Sequence, residues 1–346
     1  MKYFFLILFQ TLMMTAFSQK IKMEQINSDE QVLNFVQQEN YSAQDAPQWK
    51  YFHLTDGTEW NSYYNLSKQQ ADSIEQLLPH ASWQKTDLNN DGKPDLIVSG
   101  YIARRPKDWS TATFMLLVFL SQRGNGYVEM NLLDNLSEKY PAYFDALSMN
   151  GNNFLQVFRW RIDAEDITAA LPLQIDTVQY NSALNNFVNS VDNLTAQDIQ
   201  KINYWVKDDE SNAFHQITLV NPSNNKSKYI DIVVSIRQTG DKSPSTFKAK
   251  MQLDLWRTLD TLARSMPLHS DSTVLRNEVP KLPITTAFYF ADGTKKIITD
   301  FGGNTSYSLS ALYQAFEEMI EDTYDKYQQR QELRNEMIDD MIGAIL

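Results

Sequence analysis

The sequence predicts an α+β protein: antiparallel sheets with helices on one face, built from repeated strand–strand–helix units and closed by a long C-terminal helix. Three observations carry this expectation. Asp56-Gly57 and Asp292-Gly293 each sit between runs rich in aromatic and β-branched residues, the pattern of a tight two-residue hairpin. Leu255, Trp256, Leu259, Leu262 and Met266 recur at helical spacing, as do Leu309, Leu312, Phe316, Met319 and Ile320. The order strand, Asp-Gly turn, strand, helix occurs at 49–78 and again at 285–322. Residues 228–266 repeat it with a longer Thr239–Ser245 connection, and 153–206 read as a stretched version.

The elements follow in chain order. Lys2 precedes an apolar run from Tyr3 to Phe17, and Ala16-Phe17-Ser18 forms a small-x-small cleavage pattern before Gln19. Residues 1–18 therefore read as a signal peptide, too short and interrupted for a membrane span. Helix starts are marked by capping-box spacings at Ser28 with Gln31, Ser67 with Gln70 and Thr195 with Asp198. The helices expected from them run near 28–38, 67–78 and 195–206. Strands are expected at 111–120, 153–162, 228–236 and 285–290 from their β-branched and aromatic content. Phe247, Ala249, Met251 and Leu253 alternate with polar residues, the pattern of a half-buried strand.

The polar stretch Lys207 to Asn212 lacks any apolar period, so it divides the expected mature chain into an N-terminal α+β domain, 19–208, and a C-terminal one, 209–346. A long amphipathic helix from about Ser308 ends the second. From Tyr307 onward nine acidic residues face three basic ones, so this segment carries −6 of the chain's −12. Docking on its own domain and self-association through its last turns are both open.

Composition excludes several function classes. The 346 residues include no Cys, which removes disulfide scaffolds, thiol catalysis, Cys-ligated zinc and iron–sulfur clusters. A net charge of −12 argues against nucleic acid or an anionic membrane as partner. A Cys-free chain with an export signal points to a bacterial periplasm or cell exterior.

One motif carries chemistry. Residues 87–95 read Asp-Leu-Asn-Asn-Asp-Gly-Lys-Pro-Asp, with oxygen side chains at loop positions 1, 3, 5 and 9 and Gly at 6. Calcium takes six to eight oxygens, and this spacing turns alternate side chains of one short loop toward a single ion. Asp87, Asn89, Asp91 and Asp95 would supply side-chain oxygens and Lys93 its carbonyl. Gly92 permits the reversal, which needs positive φ. Position 12 is Val98, where an EF-hand requires a bidentate Glu, and the following Leu-Ile-Val is a strand.

The loop resembles the one that enters a β-strand in FG-GAP/VCBS-type repeats. That resemblance covers residues 87–100 and implies structural calcium ligands; it occurs once here, which speaks against a β-propeller. With the Phe-Ser-Gln end of the leader and the overall layout, the chain also resembles secreted Bacteroidetes-type proteins, a resemblance that implies no activity.

Catalytic signatures are lacking: no Gly-x-Ser-x-Gly, His-Glu-x-x-His, phosphate-binding Gly-rich loop or dinucleotide fingerprint occurs. The four His, at 53, 80, 215 and 269, are isolated in sequence. Asp163, Glu165 and Asp166 cluster after a strand, an arrangement that suits a solvated loop better than an acid/base pair. Arg104, Arg105 and Lys107 form a basic patch that reads as a hairpin end. The expectation is an exported non-catalytic binding protein with structural calcium and a protein or glycan partner. An exported hydrolase acting on envelope or dietary polymer, through carboxylates not identifiable from sequence, is the alternative.

Overall fold

In the computed structural model, antiparallel sheets dominate and helices are few, the last of them C-terminal. The structure describes residues 22–41, 47–57, 68–79, 81–122, 126–133, 140–149, 151–160, 173–190, 198–208, 211–221, 228–266, 272–276, 282–301 and 306–345. The expected signal peptide, 1–18, and the carboxylates at 163, 165 and 166 lie outside these. Two compact units result, Met1–Thr177 and Val178–Leu346. The polar stretch 207–212 joins two paired strands inside the second unit, where the Asp208 amide donates to the Ala213 carbonyl.

Unit 1 begins with α1 (Asp29–Tyr41). Its start has the expected capping-box spacing: Ser28 Oγ accepts from the Gln31 amide, while Gln31 Oε1 reaches past Ser28 to accept from the Asn27 amide at 2.7 Å. Strands β1 (Phe52–Leu54) and β2 (Trp83–Thr86) both pair antiparallel with β3 (Asp95–Ile102), on consecutive stretches of one edge. Helix α2 (Lys68–Glu75) lies between them in sequence. The other edge of β3 pairs with β4 (Thr113–Ser121), which pairs with β5 (Tyr127–Asn131).

β3 reads Asp-Leu-Ile-Val-Ser-Gly-Tyr-Ile and is buried from Asp95 to Tyr101, as a strand covered on both faces must be. Val32, Phe35 and Val36 of α1 pack on Leu96, Val98, Leu117 and Phe119. Phe35 and Phe119 meet edge to face at 5.1 Å. At Gly100 a Cβ would collide with the Phe52 ring and the His53 carbonyl, so only glycine lets β1 close on β3 there.

β6 (Ala142–Met149) and β7 (Asn152–Trp160) form a hairpin through Gly151. The division between units falls within β8 (Leu173–Asn181), whose second half pairs with β9 (Asn186–Asn189).

The large sheet of unit 2 comprises β10 (Ile199–Lys207), β11 (Phe214–Val220), β12 (Tyr229–Arg237), β13 (Ser245–Gln252), β14 (Ser272–Arg276), β15 (Ile284–Phe290) and β16 (Lys295–Phe301). Their spatial order is β13-β12-β11-β10-β15-β16-β14, antiparallel except for the parallel β14–β16 pair. Helices α3 (Leu253–Ser265) and α4 (Tyr307–Ile345) share one core with these strands, centred on Ile202, Tyr204, Val234, Leu259, Phe288 and Phe316.

Strand–strand–helix order is met at β12-β13-α3 and at β15-β16-α4, whose Asp292-Gly293 turn has Gly293 at φ 84°. Of the helix expected over 195–206, residues 199–206 are instead β10, and 195–197 lie outside the described residues. Ile202-Asn-Tyr-Trp-Val is β-branched and aromatic, with Ile202 and Tyr204 buried at alternate positions, and two antiparallel neighbours outweigh a capping-box spacing.

Candidate functional site

The loop 87–95 forms because its own side chains bind its own amides. Asp87 accepts from the amides of Asp91 at 3.0 Å and Gly92 at 2.9 Å. Asn89 Oδ1 accepts from the Asp91 amide, and Asp91 Oδ1 from the Lys93 amide at 2.9 Å, two local turns closed by side chains. Gly92 has φ 85°, the reversal that the motif requires. Asn90 also takes positive φ, at 57°, which Asn tolerates.

The loop is fastened to its surroundings at three points. Asn89 Nδ2 donates to the Ser121 carbonyl at 3.0 Å, and Lys93 Nζ to the Gln122 carbonyl at 3.0 Å, both at the end of β4. Ser121 Oγ donates to the Asp91 carboxylate at 3.1 Å. From β7, Asn153 Nδ2 donates to the Asp87 carbonyl and to Asn90 Oδ1.

Asp95 is the centre of this arrangement. It is fully buried at the first position of β3. One carboxylate oxygen accepts from the amides of Leu88 at 2.7 Å and Asn89 at 3.3 Å, the other from the Ser121 amide at 2.7 Å. Burial raises its pKa above the usual carboxylate range, and these amides counter only part of that cost. No Lys or Arg pairs with it among the described ion pairs; Lys93 spends its ammonium on a carbonyl.

The structure thus gathers Asp87, Asn89, Asp91, Lys93 and Asp95 in one loop, and adds Ser121 and Asn153, which sequence spacing could not reveal. Ser121 lies 26 residues beyond Asp95, on the strand that pairs with β3, so only the β3–β4 register connects them. The donor set is all oxygen, the chemistry of a hard cation. Each carboxylate oxygen has two lone pairs, and the amides above use one at each oxygen of Asp87. Among the described residues, no group of three or more His, Asp or Glu side chains converges to hold a metal ion.

Two further polar clusters were not legible from the sequence. Arg159 of β7 and Asp176 of β8 form a buried ion pair at 2.7 Å within unit 1, with Gln174 Nε2 donating to the same carboxylate. In unit 2, Glu317 Oε1 on α4 accepts from the Tyr204 hydroxyl on β10 and contacts His215 Nε2 on β11 at 2.9 Å. Burial opposes the Glu317 charge, but the bonds from His215 and Tyr204 prevail and lower its pKa. Burial pushes the Tyr204 phenol far up, with Glu317 adding to the effect. Both bonds fall on one carboxylate oxygen and the phenol is held protonated, so the cluster ties α4 to the sheet.

The basic patch is a hairpin end, as expected: Arg104, Arg105 and Lys107 are exposed, and Lys107 pairs with Asp56 at 3.1 Å. Beside it the half-buried Trp109 stacks on Phe114 and meets Tyr101 edge to face, both of these being buried. Among the described residues no helix is long and apolar enough to cross a membrane. No family model, curated protein or solved structure matches this chain.

Proposed function

We propose that the chain is an exported, non-catalytic binding protein in which the loop 87–95 is a structural calcium site. The observation that carries the site is Asp95: a carboxylate with no exposure and, among the described residues, no cationic partner, at the end of a nine-residue loop whose sequence also holds Asp87, Asn89 and Asp91. A buried charge of that kind is costly, and a divalent ion would remove the cost. Asp87, Asn89, Asp91 and Asp95 would hold the ion with side-chain oxygens and Lys93 with its carbonyl. The ion's role would be to weld the loop to the start of β3. The resemblance to FG-GAP/VCBS-type loops and to secreted Bacteroidetes-type proteins supports the same reading, as does the leader-like segment 1–18.

Binding as the role is supported by the lack of any catalytic signature in sequence. The recurring strand–strand–helix order is taken as a repeated unit with its helices on one face, and α4 as a candidate contact with a second copy. Its residues from Gln328 to Arg330 and from Glu332 to Arg334 are exposed, Leu333 at 60%.

The site is tested by melting the purified protein in calcium and in chelator. Calcium should raise the midpoint, and Asp91→Ala should abolish the rise. Equal midpoints would end the calcium reading.

A further inference from the structure

The large sheet of unit 2 ends on β13, and beside that strand lies a groove of about 640 Å3. All six residues from Thr246 to Met251 line it. Successive side chains of a strand point to opposite faces, and here Phe247 and Met251 are buried while Lys248 and Lys250 are exposed. A groove that touches every residue in turn therefore runs along the backbone of the strand, and Ile232 of β12 and Leu255 of α3 line it as well. β13 pairs with β12 on its inner side, and among the described strands none lies on the other. The facing wall is the side of α4 that carries Met319, Thr323 and Tyr327, with the Tyr327 ring 4.4 Å from Phe247.

Charge is the second observation. Lys248, Lys250, Lys326 and Arg330 line the groove against Asp322 alone, a net of +3 in a chain of −12. Asp322 is taken by Lys326 at 2.5 Å. Lys250 stands opposite Asp231 in register without reaching ion-pair distance, and neither Lys248 nor Arg330 has an acidic partner among the described residues. The cations are scattered in sequence, so the patch exists only in the fold.

We propose that this groove is a strand-addition site for an acidic, extended segment of a partner protein. The partner's backbone would continue the ladder that β13 leaves open, while alternate side chains would divide between the groove and the outer face. Apolar ones would lie over Met251, Met319 and Tyr327, and acidic ones beside Lys248 and Lys250. The same lysines exclude the commonest wrong partner: a second β13 would set Lys against Lys. The proposal rests on the reading of the chain as a binding protein, names the class of its partner, and is independent of the calcium loop.

The test is a titration of the full chain with a fluorescein-labelled octapeptide of alternating valine and glutamate, followed by anisotropy. A valine–lysine octapeptide serves as control and decanoate as competitor. The valine–glutamate peptide should bind saturably and the valine–lysine peptide should not. Amide exchange at 246–251 should slow in the complex. Lys248→Glu with Lys250→Glu should weaken binding at least tenfold. If that pair alters the melting temperature, Arg330→Glu, on an exposed helix surface, carries the same test with a smaller expected loss. Absent or equal binding of the two peptides, or indifference to these substitutions, would overturn the proposal. Displacement by decanoate with unchanged exchange at 246–251 would assign the groove to an anionic amphiphile and likewise overturn it. Calcium-dependent melting would survive any of these outcomes, so failure of the groove and failure of the loop are separable.

Discussion

Replacing Asp95 by Ala isolates what holds the loop to the sheet in the absence of any ion. The carboxylate accepts three backbone amides, from Leu88 and Ser121 at 2.7 Å and from Asn89 at 3.3 Å. Leaving a buried amide without an acceptor costs about 1–3 kcal/mol, with the long bond at the low end. The gross loss is then about 3–7 kcal/mol. Against it stands the cost of burying the charge itself, whose sign is seen in the raised pKa of Asp95. The net expectation is a loss of about 2–4 kcal/mol, confined to unit 1. Native-state hydrogen exchange at Ile97 and Val98 of β3 reads it directly, since every 1.4 kcal/mol is tenfold in the opening equilibrium. Exchange should accelerate by about 30-fold or more while unit 2 amides keep their rates. A change below about threefold would refute the idea that Asp95 clamps the loop to β4.

Three other perturbations follow from the packing. Arg159→Ala should destabilise unit 1 by about 3–5 kcal/mol, because it strands Asp176 as a buried charge; Arg159→Met with Asp176→Leu should recover most of that in urea denaturation. Glu317 has a lowered pKa in the folded state, so its contribution is present above the unfolded value of 4.5 and is lost as pH falls through the folded value. Melting unit 2 between pH 3 and 6 should show that acid limb, and Glu317→Gln should flatten it. Deleting 328–346 should leave the melting temperature of unit 2 unchanged, since the last described docking contacts of α4 are Thr323, Tyr324 and Tyr327. A drop in the number of copies per particle after the deletion would show self-association through this segment.

Local signals in the chain translate into structure where local physics decides. The Ser28–Gln31 box starts α1, Asp292-Gly293 makes the β15–β16 turn, and the helical spacings at 255–266 and 309–320 are α3 and α4. The turn at 87–95 too is legible, because Asp87, Asn89 and Asp91 bind amides only two to five residues away. Reading fails where long-range pairing decides. β10 mimics a capped helix at 195–206 until β11 and β15 flank it. Ser121 joins Asp95 only through the β3–β4 register, and Glu317 reaches Tyr204 and His215 from more than 100 residues away. The cationic groove likewise gathers two strand lysines with two helix cations more than 70 positions away.

Calcium binding by the 87–95 loop is what would fasten β3 to its surroundings. The decisive measurement is the melting midpoint of the full chain against calcium concentration, at two pH values. The raised pKa of Asp95 means that, without the ion, its contribution to stability is full below the unfolded value of 3.8 and is lost as pH rises through the folded value. An ion that needs ionised carboxylates should therefore give a larger stabilisation at pH 7 than at pH 4.5, and none in Asp91→Ala. A midpoint that ignores calcium at both pH values, or that rises equally in Asp91→Ala, would contradict it.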